Sequence, residues 1–105
     1  MPTVELRAFR GTRRSSTYRQ HALAITDFIR IRDTARSIGL PVIGSLDPHR
    51  VDRLDKEAAW RVAEEATRLR LGSKLLDLDD HIAAIASLAR WCAQPGGAWL
   101  TIATI

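Results

Sequence analysis

Asp79-Asp80-His81 is the one place in this chain where two carboxylates and an imidazole stand consecutively. Such groups ligate zinc and hard cations. Consecutive helix residues point about 100° apart, however, so the three cannot all face one ion. Acids at this position suit a helix start, as cap and dipole partners. His21 and His49 are isolated, and the chain holds no His-x-x-x-His or Cys-x-x-Cys spacing. Cys92 falls on an apolar helical stripe, which makes it a small buried hydrophobe rather than a reactive thiol. Ser15, Ser16 and Ser45 lack a G-x-S-x-G context. Gly96-Gly97 precedes a strand and not a helix, so no phosphate loop is expected. No spacing nominates a carboxylate pair. The expectation is a protein that is not an enzyme, with no metal and no cofactor.

Two groups of residues have the chemistry of binding instead. Arg10-Gly11-Thr12-Arg13-Arg14-Ser15-Ser16-Thr17-Tyr18-Arg19 reads as a basic hairpin. Arg10, Arg13, Arg14 and Arg19 can contact phosphates, and Tyr18 can stack on a base. Trp60 and Trp91 both lie off the main apolar stripes of their helices, and tryptophan is a frequent anchor at protein interfaces. With Leu71, and with Arg61 at the rim, they outline a face for a protein partner, one that arginines would draw toward acidic surfaces.

These residues need elements to hold them. Val4, Leu6 and Ala8 alternate with Glu5, Arg7 and Phe9, the pattern of a strand. Gly11 marks a turn, and Arg14 to Arg19 returns as a second strand. A helix is predicted from Ala22 to Ile38 on the stripe Ala24, Phe28, Ile31, Ala35 and Ile38, with Gly39 and Pro41 ending it. Asp27–Arg30 and Asp33–Arg36 are spaced to pair along it. Leu40 to Leu46 reads as a brief strand or a buried connector. A second helix runs from about Asp55, a good N-cap, to Leu71, with Ala59, Val62, Ala66 and Leu69 inward. Trp60, Ala63, Thr67 and Leu71 form its second stripe, and Glu57–Arg61 and Glu64–Arg68 are spaced as i,i+4 pairs. A third helix starts near Asp79, capped by Asp77 or Asp79, and ends before Pro95. It buries Ile82, Ile85, Leu88, Ala89 and Cys92. Apolar nearly all round, it is either central or meets a partner. Trp99 to Ile105 closes the chain as a strand, beside the first strand or at a sheet edge where it offers pairing to a second copy.

At 105 residues the chain makes one domain, residues 1–105, and 46% hydrophobic residues suffice for a core. A single cysteine, no basic-then-apolar leader and no run approaching roughly 20 apolar residues lead to the expectation of a cytoplasmic protein outside the membrane. The net charge is +4, carried almost wholly by arginine, with only Lys56 and Lys74 as lysines. The excess sits in the first 19 residues; from Asp47 onward acids and bases nearly balance. The composition therefore fits an α+β domain: a small, mainly antiparallel sheet of N-terminal hairpin plus C-terminal strand, with three helices largely on one face.

Pro41-Val42-Ile43-Gly44-Ser45-Leu46-Asp47-Pro48 leading into a helix, a later helix ending Leu88-Ala89-Arg90-Trp91-Cys92, and the closing Trp99-Leu100-Thr101-Ile102 form a layout. Over roughly residues 40–102 it resembles small bacterial proteins of the immunity-protein type. That resemblance implies a non-enzymatic partner-binding protein and carries no catalytic residue. The leading expectation is steric protein binding through Trp60, Trp91, Leu71 and Arg61. The alternative is nucleic-acid binding through Arg10 to Arg19.

Overall fold

The computed structural model describes residues 2–12, 15–72 and 75–105. In chain order these form β1 (Thr3–Thr12), β2 (Ser15–Ala24), α1 (Ile25–Ser37), a single-turn α2 (Pro41–Gly44), β3 (Asp52–Leu54), α3 (Lys56–Gly72), a 3-10 turn (Leu76–Leu78), α4 (Asp79–Ala93) and β4 (Gly97–Thr104). The strands make one antiparallel sheet in the order β2-β1-β4-β3. The α+β architecture is the one the sequence implied, with the helices on one face of the sheet.

Alternation decides which face that is. Val4, Leu6 and Ala8 of β1, Leu23 of β2, and Leu100 and Ile102 of β4 are buried beneath the helices. α4 crosses β1, β2 and β4, while α3 packs along α4 and reaches β3 and β4. The near-continuous apolar surface of α4 thus belongs to a central helix. Ile82, Ile85, Ala86, Leu88, Ala89 and Cys92 are all buried. Withdrawing a fully buried side chain such as Leu6, Ile31, Leu69, Leu100 or Ile102 from water stabilises the fold by about 2 kcal/mol each.

Several boundaries differ from the sequence reading. β2 continues through Gln20 to Ala24, because each of those residues has a partner on β1, out to Thr3↔Ala24. Residues 22–24 therefore leave the predicted first helix, whose buried stripe is Ile25, Phe28, Ile31 and Ala35. Leu40–Leu46 is neither strand nor plain connector. Pro41 opens the short α2, where its missing N–H costs nothing. The buried Glu65, 7% exposed on α3, accepts hydrogen bonds from the Val42 and Ile43 backbone N–H groups at 3.0 and 2.8 Å. These are the otherwise orphaned donors of the first turn. Asp55 caps α3 as expected, its Oδ1 accepting from Ala58 N at 2.8 Å. α4 differs: no side chain caps it, and Asp79 is its first residue.

The closing strand lies between β1 and β3, so both of its edges are used within the chain. That is the physical objection to a second copy pairing along it: the outer strands are β2 and β3. β4 is reached by a tight turn at Gly96, φ +90°, and a Cβ at Gly97 would collide with the Cys92 carbonyl. The ladder shifts register between Phe9↔Trp99 and Arg10↔Gly97.

Candidate functional site: two exposed surfaces

On the solvent side of the helix layer, α3 and α4 leave a groove. A depression of about 290 Å³ is lined by Trp60, Ala63, Glu64, Thr67, Arg68 and Arg90. It meets a second, of about 310 Å³, lined by Thr67, Arg70, Leu71 and Asp79. Trp60 at one end is 53% exposed and Leu71 at the other 85%. Between them, Arg90 Nη2 donates to Thr67 Oγ1 at 2.6 Å, and that hydroxyl donates to the Ala63 carbonyl at 3.0 Å. This chain of bonds fixes the guanidinium across the two helices. Arg70 donates from Nε and Nη2 to the two carboxylate oxygens of Asp79, joining the end of α3 to the start of α4. The Arg70 hydrogen bonds hold the Asp79 carboxyl below its ordinary range, and the Arg30 hydrogen bonds do the same for Asp77.

The second surface is the face of the sheet turned away from the helices. Phe9 on β1 stands between Trp99 on β4 and Tyr18 on β2, with ring centroids 5.2 and 5.8 Å apart. The Arg53 guanidinium lies 4.2 Å from the Trp99 ring centre, and that of Arg7 lies 5.5 Å from the Tyr18 ring. Both are cation–π distances. Glu5, on the same face, pairs with Arg7.

The predicted site residues divide among these places. Trp60 and Leu71 share the groove. Arg61 does not line it; it pairs with Glu57 at 3.2 Å, as its spacing anticipated, beside a separate depression with Asp55 and Val42. Trp91 does not line it either. It is half-buried against the core, with Arg10 and Arg19 guanidinium carbons 5.2 and 4.8 Å from its ring. Arg10 also donates to the Pro95 carbonyl at 2.6 Å. The basic hairpin is therefore divided by strand alternation. Arg10 and Arg19 turn to the helix side, and Tyr18 to the open face. Arg13 and Arg14 lie outside the described residues.

Asp79, Asp80 and His81 diverge as helix geometry requires. Asp79 meets Arg70, Asp80 is exposed, and His81 Nδ1 lies 2.9 Å from His21 Nε2. No group of three or more His, Cys, Asp or Glu side chains could hold a metal among the described residues. Among them, too, no helix is long and apolar enough to cross a membrane.

Sequence reasoning missed the groove's Arg68 and the joint Phe9–Trp99–Arg53 cluster. Arg90 carried a signal, as the only charge between His81 and Gln94. Phe9 and Trp99 carried none, since only the β1–β4 register brings them together. Comparisons with protein-family models, with curated proteins and with solved structures gave no match for this chain.

Proposed function

We propose that this protein is a non-enzymatic protein-binding module of the immunity-protein, inhibitor or adaptor type, acting sterically through the α3–α4 groove. The observation that carries the reading is the pairing of an exposed Trp60 with an exposed Leu71 at the two ends of one groove. A tryptophan left half-exposed beside a concave surface is the residue type that dominates interface energetics. Ten helix residues lie between the two anchors, which sets them about 16 Å apart. A partner helix or strand fits along such a length. Arg68, Arg70 and Arg90 line the groove against Glu64 and Asp79, an excess of one positive charge that favours an acidic partner segment. Trp91, held by Arg10 and Arg19, supports the hairpin in this reading instead of touching the partner.

The test is capture of partners from host lysate by the tagged chain, with nuclease present, compared with Trp60→Ala and Leu71→Ala. A stoichiometric protein retained by the parent chain and weakened at least about tenfold by each substitution is expected. The melting temperature should stay nearly unchanged. A large fall in melting temperature on Trp60→Ala, or a partner indifferent to both substitutions, overturns the groove as the binding site.

A further inference from the structure

We propose that the open face of the sheet binds single-stranded RNA, a base stacking on the exposed ring of Tyr18 and the sugar-phosphate chain running past Gln20 and Thr101 to Arg53. This surface lies beyond the helix layer from the groove and does not depend on the protein-binding reading.

The register sets the residues in two parallel rows. Tyr18, Phe9 and Trp99 are direct cross-strand partners, so the aromatic row spans β2, β1 and β4, a width of about 10 Å. One step along the strands, on the same face, Gln20 pairs with Arg7, Arg7 with Thr101 and Thr101 with Arg53. A row of rings therefore runs beside a row of two guanidiniums and two hydrogen-bonding side chains. Phe9 is flanked by Trp99 and Tyr18, and Arg53 covers the Trp99 ring, so the ring open to a base is that of Tyr18 at the outer end of the row, while the second row meets the sugar-phosphate chain.

Three observations favour this occupant. Tyr18 is 54% exposed, a large aromatic surface left open to solvent on the strand beside β1. The face has one positive charge in excess: Glu5, the single acid among the described outward residues of the four strands, pairs with Arg7 and leaves the charge of Arg53 for a phosphate. Arg53 lies over Trp99, and a guanidinium stacked on a ring keeps its N–H edge free for a phosphate. Bases in a duplex are stacked on one another and cannot reach a flat sheet, so the ligand is single-stranded. Gln20 and Thr101 in the phosphate row supply partners for the ribose 2′-hydroxyl, which DNA lacks.

Fluorescence anisotropy with a labelled oligouridylate of about twelve nucleotides tests this, beside the matched oligothymidylate and an RNA duplex. The oligouridylate should bind, more weakly as salt rises. Tyr18→Ala and Arg53→Glu, both at exposed positions, should each raise its Kd about tenfold. Trp60→Ala should leave it unchanged. Thermal melts of the variants verify that they fold. Absence of binding, equal binding of duplex or of oligothymidylate, or sensitivity to Arg10→Ala and Arg19→Ala with none to the sheet variants would each overturn the proposal. So would a protein ligand lost on the sheet substitutions in a chain with no affinity for RNA.

Discussion

His21 sits on the helix side of an outer strand, and its Nε2 faces Nδ1 of His81 at 2.9 Å. The pair is satisfied only while one ring donates and the other accepts. Burial first, and the neighbouring imidazole second, hold the His21 pKa below its ordinary 6.5. The unfolded chain therefore takes up a proton at a pH where the folded chain still resists it. Stability from this site is whole above pH 6.5 and is lost as pH falls through the lowered folded value. The melting temperature should drop over that interval, as a calorimetric pH series would record, and His21→Gln should flatten the drop. An unchanged slope in the variant would mean that other groups set the acid limit. Asp77 and Asp79, with pKa values pushed below 3.8, act in a separate and more acidic window.

At the scale of elements, Glu65 shows how one helix can determine whether another exists. Its carboxylate replaces the missing partners of two backbone donors in α2. Glu65→Ala leaves those donors buried and unpaired, and should lower the unfolding free energy by about 2 to 4 kcal/mol in urea titrations. Glu65→Gln, which keeps one accepting oxygen, should cost about half as much. None of this is legible in the sequence, because Glu65 lies 22 residues beyond Ile43 and belongs to a helix whose other acids are solvated. The helices themselves were legible wherever an apolar stripe met a stop signal: α3 and α4 fall within a residue or two of their expected bounds. The α1 boundary was not, because Ala22 and Ala24 suit a helix stripe as well as a strand, and only pairing with β1 decides between them. β3 escaped notice because three residues, Asp52-Arg53-Leu54, make too short a strand to display alternation. Glu57–Arg61 formed as its spacing implied, but the two pairs expected along α1 did not. Arg30 was expected to meet Asp27 on its own helix, and instead reaches Asp77 at 2.7 Å across 47 residues. Arg36 donates to the Gly44 carbonyl.

For the whole molecule, the candidate surfaces were half visible. Trp60 and Leu71 announced themselves by standing off the α3 stripe, because helical periodicity is local. The sheet face could not, since its rings come from positions 9, 18 and 99. The same topology makes β4 the keystone of the sheet. β3 has no other strand partner, and β1 loses one of its two. Removal of residues 99–105 exposes Leu6, Ala8 and the inner faces of α3 and α4 together, and should abolish cooperative unfolding as followed by circular dichroism. A sharp transition surviving in the shortened chain would place the stability in the helices alone.

The place of β4 also bears on how the protein is made. The central ladder of the sheet joins residues 4–10 to residues 97–104, partners 87 to 100 positions apart. During synthesis the β1–β2 hairpin and all four helices leave the ribosome before the strand that unites them. Until then Val4, Leu6 and Ala8 face a half-built core, and β1 has an open edge. The sheet must wait for β4, and in that interval the unpaired edge of β1 is where the nascent chain is most open to aggregation.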